Sequence, residues 1–434
     1  MIRVGFYINN NGIENLNCEK IYDFNPGMGG TPYLFFLLTY YLSEKYKKNL
    51  DVILLTTNFQ KLNKVVKNVV VDDEYKAADY CKDNNIDILV IRTTENLKFY
   101  KYIEENQINI ITWSHNFIND YKVIKELSKN NYVKRNVFVG KEQLEYYIDD
   151  PIYDKSTYIF NLFNSSNYSK NISEVSNKKN IVTYIGSLIP QKGFHVLARN
   201  WHKIKQAVPD AELYVVGGGN LYDRSNNIEK LIPCDKSYEK KITKALRYQN
   251  DEIGKSIHFM GVLGEDKNEI IKLTKVGISN PSGKTETFGL TALEFESSGV
   301  PVVTKKCCGY LDTVLDQKSG YLFNTENEMV KYIIKLLKDD SVNLDMSLDG
   351  IRFVEEKFNI NDTCSKWIEL FENVNMNKKH ENEDISSNKK FKCKNVKLLI
   401  RKLRIKLGVN ISYRQIKLLC LNTTKRIIRG YKRD

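Results

Sequence analysis

No Cys-x-x-Cys pair and no Cys/His cluster at zinc spacing occurs in this sequence, so its eight cysteines support neither a disulfide framework nor a structural zinc site. A reduced, cytosolic setting fits that usage best. Asp-x-Asp is missing as well, which removes the motif through which many enzymes chelate a diphosphate with a divalent metal. No cleavable signal pattern follows Met1, and the longest apolar stretch, near Leu34 to Leu42, is too short and too interrupted to span a bilayer. No repeat of solenoid period is present either.

What is present suits a globular protein of two or three domains: 434 residues, 42% hydrophobic and 27% charged. The net charge of +13 is unevenly placed. Residues 389–434 hold 16 Lys and Arg against the single acid Asp434, leaving 50 basic and 52 acidic residues in the rest. The basicity therefore belongs to the tail, and the function of the nearly neutral body has to be sought in its motifs.

Two stretches alternate strand-like and helix-like segments. The first has β-rich runs at 2–8, 51–57, 86–91, 108–113 and 136–139, with a glycine-bearing loop at 25–32 before a helix that ends near Tyr46. The second restarts at 181–186 and continues through 211–216, 256–260, 276–278 and 301–304. This rhythm predicts an α/β protein with two Rossmann-like, doubly wound parallel sheets facing each other across a cleft. The boundaries read as 1–165, a polar linker at 166–179, a second domain at 180–375 and a basic helical extension at 376–434. Phe194 and Trp201 fall at core spacing with Leu197 and Ile204 and are read as packing. Adjacent Cys307 and Cys308 are read as a buried filler and a loop thiol.

The segment from Asn280 to Glu294 carries the most chemistry. A strand ends near Ser282, a glycine loop turns the chain, and a helix opens around Phe288 to Leu290, so backbone N–H groups and a helix dipole should face the cleft and hold phosphate. Glu286 and Glu294 lie about two helical turns apart and can reach different parts of one extended ligand. The pattern Glu, seven residues, Glu, with Phe288 and Gly289 after the first, resembles the signature of family-4 retaining glycosyltransferases of GT-B fold. Gly186-Ser187-Leu188-Ile189-Pro190-Gln191-Lys192-Gly193 is similar to that family's Gly-Arg-Leu-x-x-x-Lys-Gly stretch, with Ser187 in place of the usual arginine.

The resemblance runs from Gly27 to about Val374. It implies that Lys192 meets the nucleotide diphosphate, Glu286 the donor sugar and Glu294 the ribose. Gly186, Ser187, Thr287, Phe288, Gly289 and Leu290 would complete the donor site, with Arg199 or Lys284 as candidates for the missing cation. Gly29 and Gly30 resemble the family's glycine loop, and His115, after a buried-looking strand, resembles its cleft histidine; Lys192, Glu286 and His115 are thus the catalytic candidates. Each feature has a plainer explanation too: glycines make tight turns, a lone histidine is commonly structural, and two glutamates can complement a helix dipole.

The expectation is a retaining, metal-independent transferase without cofactor, moving a sugar from a nucleotide diphosphate to a glycan or lipid-linked acceptor in cell-surface polysaccharide or lipopolysaccharide assembly. A sugar-nucleotide epimerase on the same fold and a catalytically inactive glycan- or nucleic-acid-binding module are the alternatives. In the tail, Val396, Leu399, Ile400, Leu403 and Leu407 share one helical face, with Lys397, Arg401, Lys402 and Arg404 outside it. Such a helix fits an anionic inner-membrane surface, and the few interleaved aromatics, Phe391, Tyr413 and Tyr431, disfavour nucleic acid. A charged extension packed on the body is the plainer alternative.

Overall fold

A computed structural model describes residues 1–168, 178–219, 232–246, 254–382, 393–408 and 411–417. Its first sheet combines β1 (Ile2–Ile8), β3 (Leu50–Thr56), β5 (Lys67–Val70), β6 (Ile88–Arg92), β7 (Ile110–Ser114), β8 (Val133–Phe138) and β9 (Ser156–Tyr158). A small pair, β2 (Asn17–Cys18) and β4 (Lys61–Leu62), lies apart. The second sheet is built of β10 (Ile181–Ile185), β11 (Glu212–Val216), β12 (Ile257–Gly261), β13 (Val276–Ser279), β14 (Val302–Lys305) and β15 (Gly320–Phe323). Their orders are β5-β3-β1-β6-β7-β8-β9 and β12-β11-β10-β13-β14-β15. Neighbouring strands run parallel throughout.

Parallel strands need helical crossovers, which cover both faces and explain the nearly continuous apolar runs such as Ile181–Ile185. In each sheet the winding reverses beside the first strand, between β1 and β6 and between β10 and β13. At such a reversal the following loops diverge and leave a crevice at the strands' carboxyl ends. Both expected sheets are therefore present in a GT-B arrangement, most strands starting within two or three residues of where the sequence placed them.

The apolar stretch from Leu34 to Leu42 lies within the helix Gly30–Lys45. That helix is covered by the first sheet on one side and touched by the helix Ile360–Asn375 on another, so it is apolar nearly all round. The later helix crosses back from the second domain: Trp367 packs on Phe6 at 6.5 Å and Trp113 at 4.9 Å, all three fully buried. Phe194 and Trp201 are core residues of the second domain, as their spacing indicated. Cys307 and Cys308 are both half-buried, so neither is the fully buried filler expected from their composition.

The tail helix is Lys394–Leu407. Its basic face packs on the first domain through Lys397 and Arg404, which are buried, while Leu399, Leu403 and Leu407 are exposed. The plainer expectation of an extension packed on the body therefore holds for the basic side. Phe391, Cys420 and Tyr431 lie outside the described residues, as does 169–177 of the expected linker.

Because Trp367 fills the first domain's core from a distant helix, Trp367→Ala should cost about 3–5 kcal/mol, as a lost buried indole does. Denaturant unfolding followed by far-ultraviolet circular dichroism measures this, and a change below about 1 kcal/mol would show that the helix Ile360–Asn375 is only loosely attached.

Candidate active site

The loop after β10 brings Gly186 and Ser187 to the crevice, then makes a short 3-10 turn, Pro190–Lys192, that ends on Gly193. Gly193 has φ +72°, and a Cβ there would lie 2.6 Å from Ser282, so only glycine lets the Lys192 loop approach the loop after β13 this closely. Ser282 completes the join by donating its hydroxyl to the Gln191 carbonyl.

Across that join Lys192 Nζ stands 2.6 Å from Glu286 Oε2. The same carboxylate accepts from Asn280 Nδ2 at 3.2 Å and Tyr310 Oη at 3.4 Å. Burial alone would raise the Glu286 carboxyl, but the Lys192 ammonium and these hydrogen bonds more than offset it and hold it below the ordinary value. Glu286 is thus an anion clamped by a cation, available to accept hydrogen bonds but not to donate a proton. Arg199 instead forms a two-pronged pair with Glu326, and neither Arg199 nor Lys284 lines the cleft cavity. Lys267 does line it, and its Nζ lies 2.6 Å from Glu294 Oε1.

Thr287 and Phe288 fix the loop from other directions. The Thr287 hydroxyl donates to the His115 carbonyl of the first domain at 2.6 Å. Phe288 is buried against Phe160 at 5.8 Å and Phe358 at 5.6 Å, which holds the backbone of the loop beside the cavity. Gly289 (φ +94°) lies where a Cβ would strike the Tyr310 ring at 2.6 Å, and Leu290 opens the helix Leu290–Ser297. On this helix Glu294 Oε1 also accepts from Tyr168 Oη of the linker at 3.2 Å.

The cleft cavity, about 320 Å³, is lined from both domains: by Gly30, Thr31 and Tyr33 at the start of the helix Gly30–Lys45, by His115, and by Gly186, Ser187, Lys192, Lys267, Glu286 and Glu294. Gly30 has open space where a Cβ would stand, whereas Gly29 does not line the cavity. A second cavity of about 400 Å³ lies at the β1/β6 reversal of the first domain, bordered by Asn9, Arg92 and Thr93, and shares His115 and Asn116 with the first. His115 thus stands between two spaces, one reaching the second domain and one confined to the first.

The His115 ring is buried between Trp113 at 4.4 Å and Phe35 at 5.9 Å, and its Nε2 finds no hydrogen-bond partner among the described residues. Burial, aided by the Arg92 charge, pushes its pKa down to about 3. Sequence reasoning placed His115, Lys192, Glu286 and Glu294 around one space, and they do surround it. It missed Lys267, Tyr168, Asn280 and Tyr310, which bind the two carboxylates; the position of Asn280 just after a strand was the one usable signal.

Residues 166–351 match the family described as glycosyl transferases group 1. Among curated proteins the chain is 23% identical over 201 residues to a trehalose synthase of Pyrococcus horikoshii, covering 46% of each chain. It is 26% identical over 199 residues to an uncharacterized glycosyltransferase of Haemophilus influenzae, covering 45% of this chain and 49% of that one. These matches span about half the length of the relatives. Among solved structures it is similar to HepE of Anabaena in complex with UDP and glucose, with a TM-score of 0.64 at 12% identity over 86% of this chain and all of the other. A sucrose-phosphate synthase from Thermosynechococcus elongatus gives 0.63 at 13%, over 86% and 99%. The fold is GT-B, and the second domain resembles the group 1 glycosyltransferases.

Since His115 is neutral above pH of about 3, activity should show no inflection from it across roughly pH 5 to 8, where an ordinary histidine titrates. The kcat pH profile tests this: an inflection near neutrality that disappears in His115→Gln would show that the ring is charged in the working enzyme.

Proposed function

We propose that the chain is a retaining glycosyltransferase that moves a sugar from a nucleotide diphosphate to a hydroxyl of a glycan or lipid-linked acceptor in cell-surface polysaccharide assembly. The observation that carries this reading is the convergence of Lys192, Glu286 and Glu294 on one cavity whose opposite wall holds a neutral histidine ring with its Nε2 unpartnered among the described residues. UDP and glucose in the similar HepE structure support a nucleotide-sugar donor.

In this reading the diphosphate lies near Lys192 and the N-terminus of Leu290–Ser297, whose amides and dipole favour an anion. Glu294 receives the ribose hydroxyls and Glu286 those of the sugar. His115 Nε2 donates to the sugar from the first domain, a role open to a neutral ring. The acceptor hydroxyl attacks the anomeric carbon from the leaving group's own face; the carbon–oxygen bond to phosphate breaks, and a phosphate oxygen takes the acceptor's proton. Configuration is retained with no protein nucleophile. Charge on the departing diphosphate is offset by Lys192 and the helix amides, so the reading calls for neither metal nor cofactor. We place the enzyme in the cytoplasm, held peripherally on the inner face of the membrane through its basic tail. Among the described residues no helix is long and apolar enough to cross a membrane.

Calorimetry with nucleoside diphosphate and transfer assays over a panel of nucleotide sugars test the assignments together. Lys192→Ala should lower kcat/KM roughly a hundredfold or more with folding intact. Glu286→Gln should impair transfer without weakening nucleoside-diphosphate affinity, since it frees Lys192 for the diphosphate, while Glu294→Gln should weaken that affinity. Equal loss in both variants would overturn the division of labour, and nucleotide binding without any transfer would favour an inactive binding module.

A further inference from the structure

The tail helix is amphipathic, yet it is seated with its apolar side outward. Lys397 Nζ donates to the Tyr146 carbonyl and lies 3.4 Å from Asp149 Oδ1. Arg401 lies 4.2 Å above the Tyr153 ring and 3.4 Å from Asp154 Oδ1, and Arg404 reaches Asp154 Oδ2 at 2.6 Å. Beyond the helix, the Tyr413 amide donates to Asp149 at 2.5 Å, and Arg414 sits 3.6 Å from Asp150 and donates to the Ile118 carbonyl at 2.8 Å. An acidic turn at 149–154 thus takes up the basic face, with the Lys397 ammonium and the Arg401 and Arg414 guanidinium groups over tyrosine rings.

The opposite face is left open. Val396, Leu399, Leu403 and Leu407, spaced along one side at helical period, are 46%, 57%, 45% and 62% exposed. Ile411 and Ile416, past the end of the helix, are exposed as well, as are Lys402, Lys406 and Lys417. Its placement also matters. Ile118, held by Arg414, and Phe117, whose ring meets Tyr146 at 5.1 Å, both line the first-domain cavity next to His115.

We infer that residues 393–408 and 411–417 are a docked strap whose outward apolar ridge seats on an anionic lipid bilayer beside the mouth of the first-domain cavity, so that the acceptor entering that cavity is lipid-linked. An apolar ridge ringed by lysines matches a surface that offers acyl chains below and negative headgroups at its boundary. The four lysines of the described strap outside the acidic clamp, Lys394, Lys402, Lys406 and Lys417, and the basic residues that follow in sequence add to the same charge complementarity. The assignment of the cavity to an acceptor rests on the transferase reading; the seating of the ridge does not.

Flotation of the full chain with phosphatidylglycerol-containing vesicles, and with pure phosphatidylcholine vesicles for comparison, tests the seating. Leu399→Ser/Leu403→Ser, both solvent-facing, should reduce partition to anionic vesicles at least about tenfold while leaving thermal unfolding and nucleoside-diphosphate binding unchanged. Undiminished partition would overturn the proposal. So would a wild-type dimer in sedimentation that these substitutions dissolve, because a second copy would then be the occupant. Orientation is read separately from Asn119→Trp, at the exposed rim beside Ile118, against Lys338→Trp on the second domain. The three native tryptophans are fully buried, so brominated lipid should quench the new indole at 119 and not at 338. Absence of quenching at 119 with vesicle binding intact would remove the lipid-linked acceptor. Failure of sugar transfer with both membrane results intact would instead count against the transferase reading alone.

Discussion

Three consecutive side chains carry the constraint on which the cleft depends. Glu286 is bound to a cation of its own domain, Thr287 to a backbone carbonyl of the other domain, and Phe288 to an aromatic cluster with Phe160 and Phe358. A strand end alone would leave this loop free to sample many conformations. Anchored in three directions, it holds one carboxylate at a fixed height between the sheets. A second crossing reinforces it: buried Asp312 accepts the Glu142 amide of the first domain at 2.9 Å, and burial pushes its carboxyl up to about 6. The domains therefore meet through directional hydrogen bonds as well as apolar contact.

Within that frame the charges are already paired before any ligand arrives. Lys192 with Glu286 and Lys267 with Glu294 form two ion pairs along one wall, each with side chains less than one-third exposed. An isolated ammonium or carboxylate at such depth would carry a desolvation penalty; pairing offsets part of it while keeping both charges in place. On the proposed reading, a nucleotide diphosphate entering the cavity would exchange one partner for another instead of meeting bare charge. For Glu294, Lys267 and Tyr168 share Oε1, which leaves Oε2 as the oxygen a ligand would meet. On that same reading the serine at 187 is less of a gap than it is in the sequence alone, since Lys267 gives the cavity a second cation from a different segment.

How much was legible follows from what sequence periodicity encodes. Strands such as Ile2–Ile8 and Ile181–Ile185 are continuous apolar runs with glycine-bearing loops behind them, and a parallel sheet brings all those loops to one edge. That was enough to place the loops along one cleft; the grouping of Lys192 with Glu286 and Glu294, about a hundred residues away, came from the resemblance of their motifs to the glycosyltransferase signature. Lys267 was not legible because nothing marks it among the neighbouring charges; it matters only because the helix Lys267–Leu273 begins at the cavity wall. Tyr168 was hidden in a polar linker without periodicity. The helix Ile360–Asn375 has an evident apolar face, but pattern alone cannot say that this face belongs to the other domain's core.

The tail exposes the same limit in electrostatic form. Its charge of +15 against a body near −2 invites treatment as one basic block acting on a distant partner. A block count averages over position, whereas charges interact over distances of a few ångströms to about a Debye length. Asp149, Asp150 and Asp154 lie within a six-residue turn, some 250 positions from the tail, and a local acid cluster outweighs a slightly negative average at contact range. A helical wheel identifies two faces but not which of them meets the protein. Here ion pairs and cation–ring contacts decided the matter, and hydrophobic burial, which ordinarily turns the apolar face inward, was left to act on whatever lies outside.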